Sequence, residues 1–134
     1  MSKDEELERL KAERLKKLMQ PEDTGPWTEG KVLKLNKNNF NALTKTTKPV
    51  LVDFWASWCG PCRVMSPVVE DMAKEYVGKA HFASVDVDRN QSMARQFGVM
   101  SIPNFVVFKN GNPVDRTIGA VGKPGLVRLL ERNL

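Results

Sequence analysis

Cysteine is scarce in this chain of 134 residues: there are two, at positions 59 and 62. With so few, no scaffold stapled by several disulfides can form. His81 is the sole histidine, so the chain falls short of the four ligands of a structural zinc knuckle. No apolar run approaches the roughly 20 residues of a membrane-spanning helix. The amino terminus lacks the apolar core of about seven residues that an export signal requires. Lys and Arg outnumber Asp and Glu by 21 to 16. The basic residues are scattered, without a like-charge block or a stripe interleaved with aromatics, so nucleic acid is not an expected partner. The surplus serves solubility and favours acidic partners at low salt. The length suits one domain with a real core rather than two. Two cysteines at a reactive spacing, with none spare for stapling, fit a reducing cytoplasm.

The informative stretch is Val50-Leu-Val-Asp-Phe-Trp-Ala-Ser-Trp-Cys-Gly-Pro-Cys62. Val50, Leu51, Val52, Phe54 and Trp55 are apolar on both pleat faces, the pattern of a buried strand. Asp53 interrupts it, so we expect a buried acid whose pKa is raised by desolvation. Pro61 and the helical pattern after it put Cys59 at the amino end of a helix. Unpaired amides and the positive end of the helix dipole favour a thiolate there. Cys62 lies one turn on and on the same face, close enough to attack a mixed disulfide formed at Cys59. Cys59 is then the nucleophile, Cys62 the resolving thiol, and Asp53 the general base or acid that exchanges a proton with Cys62.

A purely structural disulfide competes poorly with this reading. Chain entropy gives so small a loop about 2 kcal/mol, against roughly 3 for fifteen residues. Two ordinary cysteines at a chance spacing remain the other alternative, set against Trp58, Gly60, Pro61 and the upstream acid.

Trp58-Cys59-Gly60-Pro61-Cys62 resembles the active site of the thioredoxin family, and Val52-Asp53-Phe54-Trp55-Ala56 resembles its central strand. The resemblance covers residues 31–134. It implies an α/β thioredoxin fold, a mixed central β-sheet with helices on both faces in the order βαβαβαββα. It implies a redox-active Cys59–Cys62 disulfide in a protein-disulfide reductase, re-reduced by a thioredoxin reductase, with disulfide-containing proteins as substrates. Ile102-Pro103 is similar to the family's cis proline facing the dithiol, with the Ile102 backbone free to pair with an extended substrate strand. Gly60, Gly119 and Ala120 resemble the small residues that let a substrate approach, with Trp58, Met100 and Val121 as an apolar rim. Two departures stand out. Ser84 occupies the position where many bacterial members carry a lysine near the buried acid, and without that cation the Asp53 pKa should rise further. Asn104 stands where threonine usually follows the proline. No metal or bound cofactor is expected, and a monomer in the cytoplasm is. A disulfide oxidase or isomerase, or a non-redox binding or chaperone module, are the alternatives.

Residues 1–30 read as a helical extension and linker. The helix spans 3–19 from a capping box at Ser2-Lys3-Asp4-Glu5, with a narrow stripe of Leu7, Leu10, Leu15 and Leu18, and Pro21 stops it. Glu5 and Arg9, and Glu13 and Lys17, form favourable four-residue pairs. From Gln20 to Gly30 the chain reads as linker, with Trp27 packing on the domain edge. A strand at 31–35 precedes a helix at 36–47 that turns Phe40 and Leu43 inward. The helix after Cys59 carries Met65, Val68, Val69, Met72 and Tyr76 inward, with a kink expected at Pro67. A strand at 81–87 should start with His81 facing solvent. A short helix at 92–97 ends at Gly98. A hairpin at 105–109 and 114–118 turns around Asn110-Gly111-Asn112. A last helix at 124–133 turns Leu126, Val127, Leu129 and Leu130 inward.

Overall fold

A computed structural model describes residues 3–19 and 25–134, with side chains described at 3–13 and 25–134. The elements are α1 (Lys3–Met19), β1 (Val32–Lys34), a 3₁₀ turn (Phe40–Thr44), β2 (Val50–Trp55), α2 (Gly60–Glu75), β3 (His81–Asp86), α3 (Gln91–Gln96), β4 (Asn104–Lys109), β5 (Asn112–Ile118) and α4 (Gly122–Glu131). Asp4, Glu5 and Glu6 crowd the first turn of α1, where they complement the helix dipole. Leu7 and Leu10 are exposed. The cap at Ser2, the stop at Pro21, and the side chains of Leu15, Lys17 and Leu18 lie outside what is described.

The five strands run in the order β1-β3-β2-β4-β5. β1, β3 and β2 are mutually parallel, while β4 runs antiparallel to β2 and β5 antiparallel to β4. β2 to α2 to β3 is the parallel crossover unit, which needs a helix to bring the chain back. Alternation along β2 splits the core. Leu51 packs with Met65, Val69, Met72, Phe105 and Leu126 under α2 and α4. Val50, Val52 and Phe54 pack on the other face with Leu43, Val85 and Phe108. Asp53, between Leu51 and Trp55, shares the α2 face by the period of two. At the hairpin, Asn110 and Gly111 both have positive φ (53° and 82°). That is the backbone twist a two-residue turn between right-twisted strands demands.

Two expectations need correction. Residues 36–47 form no α-helix. The side chains of Asn36 and Asn39 accept backbone N–H groups of Asn38 and Asn36 (2.8 and 2.7 Å), the local competition that diverts asparagine from helices. What forms is the short 3₁₀ turn, burying Ala42 and Leu43 and leaving Phe40 37% exposed. Trp27 packs into the cluster Phe40 was expected to join, and its indole N–H donates to the Ala42 carbonyl (3.0 Å). His81 does not face solvent; it is 4% exposed. It opens an inner strand, and the Trp27 ring stacks on it at 4.8 Å and 17°. Val127 turns inward as expected and packs, partly buried, against the core under α4.

Candidate active site

β2 ends at Trp55, and four residues later Cys59 caps α2 with extended backbone (φ −91°, ψ 108°). Its sulfur accepts the Cys62 N–H at 3.3 Å. Pro61, lacking an N–H, sits in the first turn, where that donor would have no helical partner. Cys59 and Cys62 are joined as a disulfide with Cα atoms 5.3 Å apart. Both are buried, packed with Ala56 and flanked by Trp55, Val87 and Ile102. α2 continues through Pro67 to Glu75. The Ser66 hydroxyl donates to the Cys62 carbonyl (3.1 Å).

Asp53 is 2% exposed. Burial pushes its pKa up to about 7, because the charged form loses its hydration. Its Oδ1 has no hydrogen-bond partner, so nothing offsets that loss at this atom. The carboxyl lines a cavity of about 200 Å³ with Ser66, Glu70, Trp55 and Ser84. Cys62 lines an adjacent cavity that shares Trp55, Ser66 and Glu70. Ser84 is the β3 residue in register with Asp53, so its hydroxyl stands beside the acid.

The Ile102–Pro103 bond is cis. Ile102 packs against the disulfide cluster and Pro103 is buried beside it in sequence. Gly119, with φ 96°, donates its N–H to the Pro103 carbonyl at 2.8 Å. A side chain at Gly119 or Gly60 would meet open space, so neither glycine is required by packing. Ala120 is exposed next to Gly119. Trp58, Met100 and Ile102 line an apolar groove of about 380 Å³ together with Val87, Ala94 and Val99. Met100 is 96% exposed at its rim. Val121 does not join this groove; it packs against the core under α4. Asn104 is wholly buried, its amide donating to the Ser101 carbonyl (3.3 Å) while Oδ1 finds no partner.

Sequence reasoning missed Asp88, whose carboxylate accepts the Trp58 indole N–H at 2.9 Å. It also missed Val87, Ala94 and Val99. No signal in the sequence ties the indole of an exposed Trp58 to an acceptor thirty positions away. Among the described residues no group of three or more His, Cys, Asp or Glu could hold a metal ion.

A family model described as Thioredoxin matches residues 31–132. A thioredoxin of Staphylococcus saprophyticus is 51% identical over 84 residues, spanning 63% of this chain and 81% of the relative. One from Staphylococcus haemolyticus is 45% identical over 103 residues, 77% of this chain and 98% of the relative. A bifunctional thioredoxin reductase/thioredoxin of Mycobacterium leprae is 49% identical over 89 residues, 66% of this chain but 19% of that protein. Among solved structures, a single-substitution mutant thioredoxin from Halobacterium salinarum NRC-1 superposes with a TM-score of 0.72 at 34% identity, covering 81% of this chain and 95% of that one.

Proposed function

The chain belongs to the thioredoxin family, and from that premise we propose how its residues divide the exchange it carries out. The protein is a thiol–disulfide oxidoreductase that reduces protein disulfides. The observation that carries the assignment of roles is the Cys59–Cys62 disulfide with Cys59 at the N-cap of α2 and the Cys62 N–H on its sulfur.

In the reduced protein the Cys59 thiolate, favoured by that N–H and the helix dipole, attacks a substrate disulfide. One substrate sulfur leaves as a thiolate and takes a proton from solvent. The Cys62 thiol gives its proton to the Asp53 carboxylate. The Cys62 thiolate then attacks the Cys59 sulfur, closing the disulfide and releasing the second substrate sulfur as a thiolate, which takes a proton from solvent as Asp53 gives its own back. Two electrons pass to the substrate. Trp58, Met100 and Ile102 offer an apolar surface to the chain around the scissile bond, and the Ile102 backbone pairs with it as an added strand. Gly60, Pro61, Pro103, Gly119 and Ala120 leave room for that approach.

Re-reduction needs a dithiol donor, and we assign it to a thioredoxin reductase. The M. leprae relative that joins the two activities by name supports this. No helix among the described residues is long and apolar enough to cross a membrane; we place the protein in the cytoplasm, where its disulfide would be kept reduced, and acting as a monomer. We assign residues 31–134 to the catalytic domain and 1–30 to an appended segment, of which Trp27 and Glu29 bind back to it.

The test is the Cys62→Ser variant mixed with an oxidised disulfide protein. A covalent adduct that dithiothreitol releases is expected, and none with Cys59→Ser. An adduct formed by Cys59→Ser would reverse the assignment of nucleophile and resolving thiol, and no adduct from either variant would overturn the mechanism.

A further inference from the structure

Asp53, Ser84 and Lys34 form one row across three neighbouring parallel strands, because Asp53 is in register with Ser84 and Ser84 with Lys34. Side chains in register on parallel strands point to the same face. Here that face is the one under α2, and all three residues line the cavity of about 200 Å³ that holds the Asp53 carboxyl. Asp53 is buried at its inner end, Ser84 is half-buried, and Lys34 and Glu70 are exposed at the outer end. Lys34 and Ser84 also line the neighbouring opening of about 520 Å³ with Asp86, Asp88 and Arg89. The titratable and charged groups facing Asp53 are therefore few. Lys34 from β1 and Glu70 from α2 share its cavity, Asp86 of β3 lines the neighbouring opening with Arg89 beside it at 3.7 Å, Cys62 of α2 lines the adjacent one, and β4 adds only Phe105 in register.

We propose that Lys34 is a positioning residue for proton exchange at Asp53, its ammonium at the cavity mouth supplying the positive charge that favours the carboxylate. This rests on the reading of Asp53 as the proton acceptor for Cys62. In the step concerned, the proton leaves the Cys62 sulfur for an Asp53 oxygen and later passes through the cavity to solvent; no electrons move. The row of side chains gives the reason that Lys34 acts and more distant lysines do not. Its flexible four-carbon stem starts about 10 Å from Asp53, two strand spacings away, and small Ser84 between them leaves the path open. At that distance, with an effective dielectric between protein and water, one charge moves the titration of Asp53 by about half a pH unit. Glu70 and Asp86 act in the opposite sense.

The test is the pH dependence of disulfide reduction by the full-length reduced protein, followed by the fluorescence of Trp55 and Trp58. Lys34→Gln should move the acid limb up by about half a pH unit, roughly a threefold slower rate at pH 6. Lys34→Glu should move it further, and Lys34→Arg should restore it. In the Asp53→Asn background the same changes should have no effect. A Lys34→Gln profile superimposable on wild type overturns the proposal, as does a shift that persists in Asp53→Asn. If Asp53→Asn alone leaves the limb in place, the Asp53 reading itself falls.

Discussion

Replacing Asp53 by Asn should stabilise the oxidised protein, and by an amount that depends on pH. The carboxyl is 2% exposed, its Oδ1 lacks a partner, and its pKa rises from 3.8 to about 7 by burial. The unfolded chain releases this proton more readily than the folded one. Stability from this group is therefore whole below about pH 3.8, falls as the pH rises towards 7, and is constant above it. At about 1.36 kcal/mol per pH unit the full loss is roughly 4 kcal/mol, and at about pH 5 roughly 1.5–2. Asn carries no charge, so its variant lacks this slope, while any cost of burying its amide is the same at every pH. Urea unfolding of both proteins between about pH 4 and 9 isolates the difference. The gap between the Asp53→Asn variant and wild type should widen by roughly 4 kcal/mol from the acid end to the alkaline end. A gap that stays constant across that range would refute the claim that burial raises the carboxyl's titration.

Further predictions concern the elements that frame the site. Gly111→Ala should cost about 1–2 kcal/mol in urea unfolding, because φ is 82° and the new Cβ would lie 2.5 Å from Thr44 Cγ2; a change within about 0.3 kcal/mol would show that the turn relaxes. Trp27→Ala should cost about 2–3 kcal/mol by the same measurement, less than a fully buried tryptophan because Trp27 is only partly buried. Phe40→Ala, at an exposed site, should stay within about 0.5 kcal/mol, and the reverse order would overturn the account of that edge.

What could be read from the sequence was local. Cys59, Pro61 and Cys62 lie within one helical turn, so their spacing fixes their geometry. Asp53 was legible because an acid amid Leu51, Val52, Phe54 and Trp55 has few places to be. The strand at 50–55 followed from an apolar run, and so did the one expected at 81–87, which ends one residue sooner. Contacts made across the sheet were not legible. Trp27 on His81, Asp88 on Trp58, and Lys34 in register with Ser84 depend on which strands become neighbours. No property of position 81 alone announces that Trp27 will cover it. The helix expected at 36–47 failed for a local reason of a different kind: asparagine side chains satisfied the backbone before a helix could.

The burial of Asp53 makes sense only when stability and chemistry are weighed together. A loss of roughly 4 kcal/mol is a large share of the roughly 5–15 kcal/mol by which native domains are stable. An apolar residue in that row would avoid it. A close salt bridge would avoid it too, but by holding the carboxyl ionised far below neutrality, where it would be a weak proton acceptor. A carboxyl that titrates near neutrality both accepts and gives up a proton readily under working conditions. Ser84 beside Asp53, with Lys34 one strand further out, suits that need. The nearest row position carries a neutral hydroxyl, and the cation stands far enough away to bias the proton without removing it. The central strand can carry such a residue because apolar packing surrounds it: Leu51 belongs to the core under α2 and α4, and Val52 and Phe54 to the core on the opposite face.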